Sequence, residues 1–177
     1  MKELTSTSFG YLIAFLLPGI LGLYGLSAWF PQVGAILQPL SKADATVGPS
    51  IVFLLVSVGM GLCVSSGRYF LIEKLLYRKR CLSQDIYPRL TADKLAVLKS
   101  FSEEHYRYHQ FYGGCAISLL ILFAGWMKQH YLDGVGTVVA VALGFCIMEI
   151  LLERSASDCF GKYVDKCNRL IQLEEKK

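Results

Sequence analysis

The chain has 177 residues, of which 54% are hydrophobic and only 18% charged, with a mean hydropathy of +0.44. That apolar share exceeds the ordinary globular one, and the length allows one compact unit with no large soluble domain beside it. The net charge of +4 comes without any basic-aromatic RNA-binding module, so direct nucleic-acid binding is not expected.

Four windows hold no charged residue or only one: 9–30, 49–67, 110–127 and 134–152. Each is about 18 to 22 residues, the length a helix needs to cross the roughly 30 Å hydrocarbon layer of a bilayer. The expected fold is all-α: a polytopic membrane protein of four transmembrane helices whose inner ends extend into a cytoplasmic helical bundle. The apolar run of the first window exceeds that of a cleavable signal, and only Lys2 supplies positive charge before it, so it is expected to stay as a span. Pro18 stands at its middle, followed by Gly19, Gly22 and Gly25. Proline bends a helix and glycine admits a neighbouring backbone. A kinked packing helix is the plainer expectation, and a hinge at Pro18 and Gly19 the functional one. In the connection that follows, Val33 to Leu40 reads as a short helix lying on the outer surface.

The second span continues past Gly67 as a half-apolar, helix-compatible run from Arg68 to Tyr77. It ends in Arg78-Lys79-Arg80, a cluster suited to anionic lipid headgroups at about 1 kcal/mol per charge. Thr91 is a plausible N-cap for a helix leading into the third span, where Leu98, Phe101, His105, Tyr108 and Tyr112 form a 3-4-3-4 stripe. A helix from Ala92 to about Lys128 would measure roughly 55 Å. The fourth runs from Gly134 to about Leu173 and carries Phe160, Tyr163, Cys167 and Leu170 at 3-4-3 spacing. Both stripes require cover, from each other or from neighbouring subunits. Phe101, His105, Tyr108, Tyr112, Phe160 and Tyr163 are therefore the candidate cytoplasmic interface. A short internal similarity links Gly61-Leu62-Cys63-Val64 to Gly144-Phe145-Cys146-Ile147, compatible with a two-hairpin plan.

Nine of the 18 Lys and Arg residues lie between windows two and three, six follow window four, and the other two connections hold Lys42 and Lys128. By the positive-inside rule, segments 68–109 and 153–177 are cytoplasmic, and so are both termini. This layout corresponds to a multi-pass protein of a bacterial inner membrane. None of the six cysteines falls in an outer loop, and free thiols are expected.

Glu149 is the one ionisable residue inside a window. A carboxylate in hydrocarbon costs several kcal/mol unless it faces protein, water or a cation. It is the candidate polar intramembrane or pore group, with Arg68 at the end of span two as its expected partner. His105 and His109 are four apart on one helix face, which suits a divalent metal or a proton-sensitive switch. A third ligand is missing, so a hydrogen-bonded buried histidine is the main expectation, at His105. No nucleophile elbow, phosphate loop or clustered acid, base and metal set occurs. No cofactor and no enzyme activity are therefore expected.

The opening Ser8-Phe9-Gly10-Tyr11-Leu12-Ile13-Ala14-Phe15-Leu16-Leu17-Pro18-Gly19 and the segment from Glu104 to Tyr112 resemble small uncharacterised bacterial four-span membrane proteins. In layout, the chain is also similar to membrane effectors of antiphage systems, including those beside RNA-targeting CRISPR nucleases; that resemblance implies an oligomeric pore. The expectation is thus a homo-oligomeric membrane pore or channel gated by its cytoplasmic extensions. The alternative is a non-conducting anchor or scaffold that recruits a cytosolic protein partner.

Overall fold

The computed structural model describes residues 2–38, 47–76, 92–132 and 134–175, with side chains in 13–38, 47–74, 93–132 and 134–170. Arg78, Lys79, Arg80 and Thr91 lie outside the described residues. The chain is all-helical, without a strand among the described residues. α1 spans Lys2–Ser27, α2 Pro31–Leu37, α3 Val47–Arg68, α4 Ala92–Phe101, α5 Arg107–His130 and α6 Val135–Glu175. Two π-helical segments join them into longer rods: Tyr69–Leu76 continues α3, and Ser102–Tyr106 links α4 to α5.

Local chemistry accounts for the boundaries. α2 starts earlier than Val33 because Pro31 sits at its first turn with φ preset for a helix, after an extended Phe30. None of its residues is buried, consistent with a surface position. α1 passes through Pro18 without a break. The proline is fully buried, and its ring fills the space left by Gly114, where an added Cβ would stand 3.3 Å from Pro18 Cγ. Pro18 and Gly19 therefore form a packing node between helices.

α1 packs on both α3 and α5, and those two pack on each other, giving a three-helix core. Close backbone approach sets the spacing. Gly19 lies against the Ser57 carbonyl and Gly61 against that of Phe15 where α1 crosses α3, while Gly25 and Gly125 meet where α1 crosses α5. Small residues at helix crossings of this kind permit the backbone contact that drives association in lipid.

α6 is different. It rests on α5 and α4, and none of the most apolar part of the helix is buried inside the chain. Val139, Leu143, Ile147, Ile150 and Leu151 are all exposed, as are Leu54, Leu55 and Leu62 on α3. Ser57, Ser118, Arg68, Glu73 and His109 are buried beside apolar residues such as Leu23, Val64, Ala116 and Phe160. Buried polar groups together with so many exposed large aliphatic ones depart from the distribution of a water-soluble domain. Three helices are long and apolar enough to cross a membrane, those within Val47–Lys74, Asp93–His130 and Val135–Leu170; α1 contributes a shorter apolar stretch, Ile13–Ser27.

Candidate functional site

At one end of the bundle, just beyond the apolar windows, four side chains from two rods converge. Arg68 closes α3, Glu73 lies in its π-helical continuation, Tyr106 ends the second π segment, and His109 stands in the first turn of α5. Arg68 is 2% exposed, Glu73 7% and His109 0%, so two full charges and an imidazole share an interior site.

The π-helical backbone is what lets Arg68 reach Glu73. In an α-helix, residues five apart point about 140° away from each other, and neighbours on the surface are three or four apart. A π-helix closes its turn at i+5 and places such a pair on one face. Arg68 Nη1 accordingly donates to Glu73 Oε1. The same Nη1 lies 2.9 Å from His109 Nε2, and His109 Nδ1 lies 2.9 Å from the carbonyl oxygen of Ala156 on α6.

A carbonyl only accepts, so Nδ1 donates to Ala156, and His109 ties α3 to α6 through its two nitrogens. Its Nε2 stands between Arg68 Nη1 and Glu73 Oε1, 3.3 Å from the latter.

Tyr106 completes the site by donating its hydroxyl to the Glu73 carboxylate, 3.1 Å from Oε1 and 3.3 Å from Oε2. Burial on its own would raise the Glu73 carboxyl. The polar groups of His109 and Arg68 facing it outweigh burial and hold it below the ordinary 4.5. Burial and the adjacent Glu73 charge push the Tyr106 phenol above its usual value. Arg68 Nε is buried without a hydrogen-bond partner, so the guanidinium is only partly satisfied. Its aliphatic stem needs Gly113, where a Cβ would stand 2.8 Å from Arg68 Cδ.

An apolar cluster seals the junction on its far side. Ile72, Phe160, Tyr163 and Cys167 are buried together, with Leu98, Phe101 and Tyr106 packed against them. The Phe160 ring lies 4.9 Å from His109 and the Tyr163 ring 5.3 Å from Tyr106. The α6 stripe is thus covered by this chain's own helices, and Phe101, Phe160 and Tyr163 do not offer a free surface.

The stripe on the preceding helix changes register. The π segment 102–106 inserts an extra residue, so the inward face passes from Leu98 and Phe101 to Tyr106, His109 and Gly113. His109, rather than His105, is the fully buried histidine. Tyr108 is left exposed and stacked on Tyr112, with ring centroids 6.4 Å apart.

Arg68 does not pair with Glu149, because Glu73 holds it. Glu149 faces a groove between α5 and α6, and its Oε1 has no hydrogen-bond partner. Glu73, Tyr106 and the Ala156 carbonyl were not singled out from the sequence. The available signal was Glu73 itself, the one carboxylate between Asp44 and Asp85. Among the described residues no three His, Cys, Asp or Glu side chains converge on a common point.

Fold and site together define an all-helical protein with membrane-length apolar helices and a buried ionic junction at one end of its three-helix core. No protein-family model, curated protein or solved structure matches the chain.

Proposed function

We propose that the protein is an oligomeric membrane pore whose cytoplasmic helical extensions control it through the Arg68–Glu73–His109 junction. Four spans cross the bilayer, with α1 as the fourth, and the junction lies at the cytoplasmic surface with both termini. The spacing of aromatic residues supports this placement. Trp29, with Lys128 4.6 Å over its ring, and Trp126 mark one level; exposed Tyr69 and Tyr108 mark the other. Trp126 and Tyr108 are 18 residues apart on one rod, about 27 Å and close to the hydrocarbon thickness.

The observation that carries the proposal is the bare membrane segment of α6. The α1, α3 and α5 core is closed by backbone-to-backbone contacts, so a conducting path has to run between copies. α6 offers the surface for it: Gly136, Ala140 and Gly144 are exposed at four-residue spacing, and a Cβ at either glycine would meet nothing within 4 Å. The same helix continues into the junction, where Ala156 accepts from His109. A change in the cytoplasmic rods is therefore transmitted along α6 to the interface between copies.

Dye and ion efflux from liposomes holding the purified protein tests this. Flux is expected from the wild type, and Gly144→Leu, which obstructs the exposed face of α6, is expected to abolish both flux and self-association. Tight liposomes with folded, oriented protein would refute the pore and leave a non-conducting anchor.

A further inference from the structure

A cleft of about 440 Å³ opens beside the junction, walled by residues of α1, α3 and α5. Phe15 and Leu62 line its deeper end, Ser65, Ser66 and Gln110 its middle, and Tyr69 and Phe70 the end at the junction. Both polar and apolar atoms face its space. The change from apolar to polar runs along the helix axes, since Leu62 and Arg68 are six residues apart on α3, about 9 Å. The volume lies within the range of small-ligand pockets, roughly 300–1,000 Å³.

We propose that this cleft binds the glycerol and ester region of an uncharged glycerolipid, a diacylglycerol, whose acyl chains run on past Leu62 and Phe15. The polar lining offers both senses of hydrogen bond. Ser66 Oγ donates to the Leu62 carbonyl at 3.0 Å and is left to accept from a free hydroxyl. The Gln110 amide and the Ser65 hydroxyl supply donors for ester carbonyls. A water-soluble polyol gains nothing from the apolar end, and a hydrocarbon leaves the hydroxyls and the amide without partners. A ligand that is polar at one end, apolar at the other and aligned with the helices meets both requirements.

Charge selects against phospholipid headgroups. Arg68 forms part of the wall, but it is 2% exposed and its guanidinium is engaged with Glu73 and His109. Lys74 rests 5.5 Å over the Phe70 ring and does not line the cleft, and neither does any carboxylate. A phosphate or an ammonium group would therefore leave water without gaining a counter-charge. Depth agrees with the assignment, which rests on the bilayer placement proposed above. With Tyr69 at the inner aromatic level, the cleft spans the interfacial layer between headgroups and hydrocarbon. Arg68 and Tyr106 belong both to the cleft wall and to the junction, so occupancy reaches the element through which the cytoplasmic rods act.

Occupancy is read without flux, so failure of the pore and failure of the site are separate results. Full-length protein in phosphatidylcholine nanodiscs is titrated with radiolabelled dioctanoylglycerol, and uptake by protein-free nanodiscs is subtracted. A saturable component is expected, displaced by unlabelled dioctanoylglycerol but not by dioctanoyl phosphatidate or by glycerol. The Ser65→Val, Gln110→Leu double variant is expected to bind at least about tenfold more weakly, the loss that one or two hydrogen bonds produce. The comparison of ligands uses the wild type alone and needs no variant to fold. Absence of saturable binding, equal affinity in a folded double variant, or displacement by phosphatidate as effective as by dioctanoylglycerol would each overturn the assignment.

Discussion

The Arg68–Glu73 pair permits a quantitative test of the junction. Both side chains are buried, at 2% and 7% exposure, so the exposed-pair regime of up to about 1 kcal/mol does not apply. Removing one member of a buried pair strands the other charge, which costs about 3–5 kcal/mol. Glu73→Gln keeps an acceptor for Tyr106 and Arg68 and loses only the charge, placing it at about 3 kcal/mol. Arg68→Met preserves the stem packed over Gly113 but leaves the Glu73 carboxylate without its guanidinium, placing it nearer 5 kcal/mol on the same scale. The double variant removes both charges, and its cost is expected to fall short of the sum by about 2 kcal/mol. The measurement is a double-mutant cycle from reversible unfolding in mixed micelles of rising dodecyl sulfate fraction, followed by tryptophan fluorescence. Single variants costing less than about 1 kcal/mol, or a strictly additive cycle, would show that the pair is solvent-screened.

Acidification gives a second handle on the same site. The Glu73 carboxyl is held below 4.5 in the folded chain, so its contribution to stability is present above that value and is lost as pH falls through the lowered one. The thermal midpoint in micelles should decline below about pH 4.5 in the wild type and decline less in Glu73→Gln; parallel curves would exclude Glu73 as the source. Glycine substitutions separate crossing points from open positions. Gly61→Val drives a side chain into the Phe15 carbonyl, a backbone group that cannot rotate away, and should cost at least about 3 kcal/mol in the same unfolding assay. Gly161→Ala meets nothing within 4 Å in mid-helix, and should gain up to about 1 kcal/mol from helix propensity. Similar effects at the two positions would contradict the α1–α3 crossing.

Much of the helical layout was legible because charge exclusion and spacing are local properties. The spacing of Phe160, Tyr163 and Cys167 identified a face that is buried in the structure, and the long rods from residues 92 and 134 follow from uninterrupted helix-forming sequence. The junction was not legible for a geometric reason. Helical-wheel logic assumes 100° per residue, and both rods depart from it where the site forms. One π segment brings residues 68 and 73 together, and the other moves the inward histidine from position 105 to 109.

Lipid-facing and protein-facing positions pose a different problem. Gly61 and Gly144 begin tetrapeptides that share their Gly and Cys positions, yet Gly61 is pressed on a carbonyl and Gly144 faces open space. Hydropathy cannot separate them, since a leucine in lipid and a leucine in a helix interface are both apolar. Polar residues carry the information instead, because a hydroxyl or charge inside the apolar layer is stable only where protein covers it. Ser57 and Ser118 lie in the three-helix core, and Arg68 and His109 at its end. The segment 138–152 of α6 offers Glu149 as its one polar side chain. The single carboxylate of that segment turns toward α5, against which α6 packs.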